Sequence, residues 1–182
     1  MLPATLKRFA RSTYSNLRLR LRRSLLDLCR LIAEADHRTV EYLLKQVQGL
    51  SESAHAKRRE LFQQIDKELT VHSKIEETIF YPALKQKAKS EDDDDATQEV
   101  LEAYEEHANV KGMLKKLEGT DAADETYDAK LQVLSELVKH HVREEENKMF
   151  KEAKDLMDES ELEQLGARLA QAKEQLLSGV PA

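Results

Sequence analysis

The sequence predicts an all-α fold: an up-down-up-down four-helix bundle with an N-terminal basic helical extension and a short C-terminal helix. Gly and Pro are scarce, at five and three of 182 residues, while 35% of the residues are charged. That balance favours long helices over a turn-rich β fold. Apolar residues also recur at helical spacing in four long segments. Long helices joined by short connections pack as antiparallel neighbours, and the chain is long enough for one such domain.

Turn residues and changes in apolar periodicity predict where the helices end. The first predicted helix runs from Leu25 to about residues 49–53, the second from about Ser53 to Lys87, the third to Gly119 and the fourth to about Met157. Pro82 is expected to kink the second helix. The acidic run SEDDDD at residues 90–95 is expected to be a solvated loop whose aspartates favour the start of the third helix.

The ends of the chain are predicted to lie outside the bundle. The sequence SELE at residues 160–163 has the form of a capping box and would open a short helix to about Leu177, packed on the outside. The predicted division is therefore a basic extension at residues 1–24, a bundle at residues 25–157 and a C-terminal helix with its tail at residues 158–182.

The charge is distributed unevenly. The net charge is −6, yet the first 30 residues carry +7, so the remainder carries −13. Residues 1–24 could be a solvated leader or packing extension, a contact for an anionic membrane or nucleic acid, or a cleaved organelle-targeting peptide. The sequence leaves these alternatives open.

Several function classes are excluded by composition. The single cysteine, Cys29, allows neither an intramolecular disulfide nor a cysteine-based zinc site. No apolar run is long enough to cross a membrane, and no secretory signal is recognisable. We also find no Gly-rich phosphate loop and no Ser-His-Asp arrangement. We expect a soluble, cytoplasmic protein, with an organelle as the alternative if the basic extension is a targeting peptide.

Each of the four long helices carries a histidine in its apolar stripe. These are His37, His72, His107 and one of the adjacent pair His140 and His141. The midpoint between each consecutive pair falls in or beside a predicted connection. Because antiparallel neighbours meet at one level when the turn lies midway between them, the four imidazoles should share one layer, roughly 26 Å of helix from each turn.

Two glutamates follow these histidines at ligand spacing. Glu76 lies four residues after His72, and Glu145 four residues after His141, so each pair shares a helical face. The alternative pair, His140 with Glu144, has the same spacing, but its stripe continues to surface-like residues. Two buried carboxylates are costly unless cations neutralise them, so the sequence predicts metal.

The chain also looks internally duplicated. Asp36-His37-x-x-Val40 matches Glu106-His107-x-x-Val110, and each HxxxEE segment is followed by an aromatic residue nine positions after its histidine, Tyr81 or Phe150. A repeated helical hairpin predicts a two-fold site for two metal ions, and mixed nitrogen and oxygen ligands suit iron better than structural zinc.

These patterns, with HSKIEETIFYPAL and HHVREEENKMF, resemble the hemerythrin-like, or HHE cation-binding, domain over about residues 25–157. The resemblance implies a four-helix bundle around a non-haem centre of two iron ions (Fe2+/Fe3+) with a bridging oxo or hydroxo group. The ligands it implies are His37, His72, Glu76, His107, His141 and Glu145. Glu76 and Glu145 would be the bridging carboxylates.

The resemblance also sets the functional expectations. Oxygen-carrying hemerythrins place a fifth histidine where this chain has Lys111, so the expected function is to bind or reduce oxygen, peroxide or nitric oxide, with oxidoreductase activity toward peroxide or nitric oxide left open. The alternative is a non-enzymatic iron sensor, store or donor. Lys111 would be solvated or a donor at the open metal position, and Glu77 and Glu146 would be solvated or bonded to ligands. Tyr81, Tyr104 and Phe150 are expected to pack, and His55 to lie on the surface.

Overall fold

The computed structural model describes residues 28–178 as a helical bundle with one further helix on its side. Its helices are α1 (Leu28–Gln48), α2 (His55–Ile75), α3 (Tyr81–Ser90), α4 (Asp94–Glu118), α5 (Tyr127–Glu144), α6 (Phe150–Leu156) and α7 (Glu159–Ser178). Two π-helical turns, π1 (Glu76–Phe80) and π2 (Glu145–Met149), join α2 to α3 and α5 to α6. The described residues contain no strand. The predicted all-α, four-helix fold is confirmed.

The four long rods α1, α2-π1-α3, α4 and α5-π2-α6 form the bundle. Each rod packs against the next along the chain, and α1 also packs against α5, which closes the bundle. Helix α7 lies outside it against α1, α2 and π1. The predicted basic extension at residues 1–24 lies outside the described residues. No helix in residues 28–178 is long and apolar enough to cross a membrane.

Two local predictions are corrected by the structure. The interruption expected at Pro82 occurs just before it, as π1, and Pro82 then lies in the first turn of α3, where its missing N–H is tolerated. The capping box lies two residues earlier than SELE: the backbone N–H of Glu161 donates to Asp158, and that of Asp158 donates to Glu161. An aspartate serves as well as a serine at this position.

The acidic run before α4 has a defined local structure. Asp92 has a positive φ of 55°, which turns the chain sharply between α3 and α4. Asp93 then caps α4 by accepting a hydrogen bond from the backbone N–H of Ala96. This end of the bundle is therefore fixed by aspartates, as the sequence predicts.

The core consists of two apolar clusters. One cluster, around Leu44, Ile65, Leu114 and Leu131, lies toward the α1–α2 and α4–α5 connections. The other, around Phe80, Leu84, Val100 and Phe150, lies toward the α3–α4 connection and α7. A layer of buried polar side chains occupies the bundle between them.

Candidate metal centre

The six residues predicted as ligands all lie in this layer, and we call them the central residues. Each is between 0% and 6% exposed. In five of the six pairs of the four central histidines the imidazole ring centroids lie 4.5–6.4 Å apart. The structure therefore brings together His37, His72, Glu76, His107, His141 and Glu145.

Each central carboxylate faces two imidazoles. Glu76 Oε2 lies 3.0 Å from His72 Nε2 and 3.6 Å from His107 Nε2. Glu145 Oε2 lies 3.1 Å from His37 Nε2 and 3.8 Å from His141 Nε2. Ligand atoms that each lie about 2.1 Å from one ion are about 3 Å apart. The spacing is thus close to that of a metal coordination sphere.

The donor atoms form two overlapping groups of four. One comprises His37, His72, His141 and Glu145, and the other His72, Glu76, His107 and His141; within each group the donor atoms lie within 4.8 Å of one another. Despite these short distances, His72 Nε2, His37 Nε2 and both oxygens of Glu145 are buried without forming a hydrogen bond to another described residue. Buried polar atoms of this kind are normally satisfied. The residues therefore fit a group of bound cations.

Each imidazole also has a carboxylate beside its Nδ1 atom, and we call these four the outer carboxylates. Nδ1 of His37 is 2.8 Å from Glu146, that of His107 is 3.0 Å from Glu77, that of His141 is 2.9 Å from Glu106, and that of His72 is 3.7 Å from Asp36. In the three short contacts Nδ1 donates, because a carboxylate only accepts. Nε2 then keeps a lone pair directed into the layer, as a metal ligand requires.

The two hairpins share the outer carboxylates in a reciprocal pattern. Asp36 and Glu106, which each precede a central histidine, lie beside Nδ1 of the second histidine of their own hairpin; Glu106 forms a hydrogen bond at 2.9 Å, and Asp36 lies at 3.7 Å. Glu77 and Glu146, which follow a central glutamate, reach the first histidine of the other hairpin. The duplication seen in the sequence therefore extends beyond the central residues.

The remaining polar candidates lie around the outer carboxylates. Lys111, 48% exposed, donates to both oxygens of Glu77 at 2.6 Å, so it combines an exposed position with a contact to an outer carboxylate. His140, 59% exposed, lies 3.0 Å from Glu106. Glu144 pairs with Lys148 on the surface, and His55 is exposed. His141 thus lies within the layer of buried polar side chains, and His140 lies outside it.

Sequence reasoning missed Tyr81, which it assigned to packing alone. Its hydroxyl lies 3.2 Å from His107 Nε2 and 3.5 Å from Glu76 Oε2, and the ring is fully buried. In an uninterrupted α-helix the residue nine positions after His72 would face the opposite side, since each residue turns the chain about 100°. The wider π1 turn brings Tyr81 back toward the layer. The corresponding residue of the second hairpin is Phe150, which has no hydroxyl.

Both π turns begin at a central glutamate, Glu76 or Glu145. A π turn inserts one residue into an α-helix, and such insertions are frequent at functional sites. Here the two turns occupy equivalent places in the two hairpins. They are the local distortion that lets each HxxxEE segment present one glutamate to the layer and the next to an outer position.

Burial and the neighbouring charges together control the protonation of the layer. Burial lowers the pKa of His72 and of His107, so both imidazoles stay neutral. Burial would lower the pKa of His37 as well, but Glu145 and Glu146 raise it. Burial, together with the charges of Glu145 and Asp36, raises the pKa of Glu76 well above its ordinary range. Burial would also raise the pKa of Glu145, but the surrounding histidines lower it. One deeply buried carboxylate beside another favours an added cation.

A narrow cavity of about 10 Å³ adjoins the four imidazoles. Its apolar wall is formed by Val40, Leu69, Val110, Val138 and Val142. This volume is that of about one water molecule. The space beside the imidazoles is therefore small in this arrangement.

Comparison with known proteins was consistent with the geometry. The profile of the hemerythrin HHE cation-binding domain matches residues 32–153. The structure resembles the crystal structure of an HHE cation-binding domain-containing protein, the Rv2633c homologue of Mycobacterium kansasii, with a TM-score of 0.69 and 25% identity over 81% of this chain and 86% of that one. A protein of Nostoc sp. named DNA nickase is 26% identical over 145 residues, which are 80% of this chain but 39% of the relative.

Proposed function

Because this chain belongs to the hemerythrin HHE cation-binding domain family, we propose that its six central residues hold two iron ions bridged by Glu76 and Glu145. The observation that carries the number of ions is the pair of overlapping donor groups, each with three imidazoles and one carboxylate. The bridging role of Glu76 and Glu145 comes from the family resemblance. Cation binding follows from the family. We propose that the bound cations are iron and that there are two of them.

We propose that the centre binds or reduces small oxidants such as oxygen, peroxide or nitric oxide. Bound iron would supply one-electron chemistry between Fe2+ and Fe3+ and positions open to a small molecule. The chain supplies the remaining functions. Valines and Leu69 keep the adjoining space apolar and small, the outer carboxylates hold three imidazoles by Nδ1, and the Tyr81 hydroxyl can donate a proton at the Glu76 side of the layer.

Iron content and the visible spectrum test this proposal. Anaerobic reconstitution should give about two irons per chain, and oxidation should produce oxo-to-iron charge-transfer absorption. Replacing His72 or Glu76 with Ala should abolish iron uptake. His140→Ala and His55→Ala are matched controls, because both histidines are exposed, and they should keep it. A wild-type protein that stays metal-free refutes the proposal.

An iron sensor, store or donor is the second candidate. It is favoured by the position of the layer between the two halves of the core, because metal occupancy there would change the stability of the whole bundle. Rapid consumption of peroxide or nitric oxide with iron retained would support the oxidoreductase. Iron release, or a metal-dependent change in stability without turnover, would support sensing or delivery.

We further propose that residues 1–24 contact an anionic surface. The rest of the chain is acidic overall, so the net positive charge that attracts a polyanion is concentrated in this segment. The likeness to a protein named DNA nickase makes duplex DNA the first probe, with anionic lipid vesicles as the second. Binding that weakens steeply with salt and disappears on deletion of residues 1–24 supports the contact. No binding to either probe at low salt refutes it.

A further inference from the structure

Helix α7 carries a lysine where its buried stripe predicts an apolar residue. Leu162, Leu165, Gly166 and Leu169 are the buried residues of this helix, and they follow helical spacing. Lys173, four residues after Leu169, continues the same face and is only 21% exposed. Lysine is rarely buried without a partner. The face of α7 that packs against the bundle therefore places a positive charge beside the bundle.

The partner of Lys173 is the most buried of the outer carboxylates. Its ammonium group contacts Asp36 Oδ1, and Asp36 Oδ2 is the oxygen that faces His72 Nδ1 at 3.7 Å. The Asp36 side chain is 4% exposed. A carboxylate so deeply buried requires a counter-charge. Oδ1 of Asp36 thus contacts Lys173 of α7, and Oδ2 lies 3.7 Å from the central histidine His72.

Close packing fixes α7 at this place. A Cβ atom at Gly166 would lie 2.8 Å from Leu28 Cβ, so the two helix backbones approach closely there. The Cys29 thiol donates to the backbone carbonyl of Leu162 at 3.6 Å. These contacts hold the first half of α7 against α1 and set the position of Lys173 two turns further on.

The comparable contacts elsewhere in the layer are exposed. Lys111 on Glu77 and His140 on Glu106 are each about half exposed or more, and their carboxylates are partly open. Water can replace an exposed partner, and exposed ion pairs contribute little. Because the Asp36 side chain is only 4% exposed, water cannot readily replace Lys173 as its partner.

We propose that Lys173 is a positioning residue of the metal centre, acting through Asp36 on His72. The inference rests on the proposed metal site. It extends that site to α7, which lies beyond the matched residues 32–153. Lys173 keeps Oδ2 of Asp36 directed at Nδ1 of His72, and the imidazole keeps Nε2 directed into the layer.

Metal affinity of the full chain tests this role. Lys173→Met should weaken Fe2+ and Co2+ binding by about tenfold, at the lower end of the effect of residues that orient metal ligands. It should also change the Co2+ d–d absorption, which reports ligand geometry. Lys173→Arg should restore most of the affinity. Lys111→Met is the matched control and should cost less than about threefold, because its ion pair is exposed.

A double-mutant cycle separates this role from simple fastening of α7. If Lys173 acts through Asp36, Lys173→Met should have little further effect on metal affinity in an Asp36→Asn background. Lowered thermal stability of the metal-free Lys173→Met protein with wild-type metal affinity and Co2+ spectrum would overturn the inference. Failure of the wild-type chain to bind either metal would instead overturn the proposed function and, with it, this role. Additive losses in the cycle would also refute action through Asp36.

Discussion

The same glycine-to-alanine change is expected to have opposite effects at two helical positions. At Gly166 an added Cβ would lie 2.8 Å from Leu28 Cβ and 3.2 Å from the backbone nitrogen of Cys29. Neither atom is the end of a flexible side chain, so α7 or α1 must shift. At Gly112, an exposed residue inside α4, an added Cβ would have no described atom within 4 Å apart from its chain neighbours and the nearby backbone of its own helix.

The magnitudes follow from two opposing effects. Alanine is favoured over glycine within a helix by about 0.8–1 kcal/mol. At Gly112 this gain stands alone, so the free energy of unfolding should rise by about that amount and Tm by about 2–4 °C. At Gly166 overpacking costs about 1–3 kcal/mol. The net result should be a loss of about 1 kcal/mol and a Tm lower by about 2–4 °C.

Thermal and urea unfolding of the metal-free proteins measures both changes. The unfolding transitions should keep the same dependence on urea concentration, so that midpoints report stability. Equal stabilisation by Gly112→Ala and Gly166→Ala would refute the close approach of α7 to α1. Destabilisation by both would instead contradict the open surroundings of Gly112.

Three further predictions concern other parts of the bundle. Burial and the neighbouring Glu99 raise the pKa of Glu152 to about 7, so the folded state binds this proton more tightly than the unfolded state does. The stability that this bound proton contributes should be lost as the pH rises from about 4.5 to 7. In urea unfolding measured from pH 5 to 8, Glu152→Gln should remove this pH dependence of the free energy of unfolding. An unchanged pH dependence would contradict the raised pKa. Burial raises the pKa of the Cys29 thiol to about 12, so a thiol reagent at pH 8 should label it slowly until urea unfolds the chain, and fast labelling of folded protein would show that α7 does not cover it. Tyr81→Phe should leave the iron content intact while altering the visible spectrum and slowing any peroxide consumption, and identical spectra would show that the hydroxyl does not act at the centre.

The sequence predicts the central residues because α-helical periodicity holds over most of the bundle. Four apolar stripes, each with a histidine, and three connections at the right midpoints are enough to place the imidazoles in one layer. The choice of His141 over His140 also depends only on the stripe, and the structure buries the former and exposes the latter. The roles of these residues as ligands stay a prediction for the iron measurements.

Other features of the layer follow from distortions and contacts that helical spacing does not encode. The π turns change the phase of the helix after Glu76 and Glu145, so Tyr81 faces the layer against expectation. Asp36 and Glu106 lie one position from a central histidine, off the stripe, and act on a neighbouring helix. One signal was available: an acidic residue precedes the histidine in both copies of the repeat, Asp36-His37 and Glu106-His107.

The reciprocal use of the outer carboxylates determines the order in which the site can be completed during synthesis. The hairpin made first supplies His37 but depends on Glu146, which the ribosome adds more than a hundred residues later. The second hairpin depends in turn on Glu77, and the contact of Lys173 with Asp36 comes last of all. A nascent chain therefore lacks the full set of contacts until Lys173 has been added. Any metal that needs this full set of contacts would bind only after residue 173 has been made.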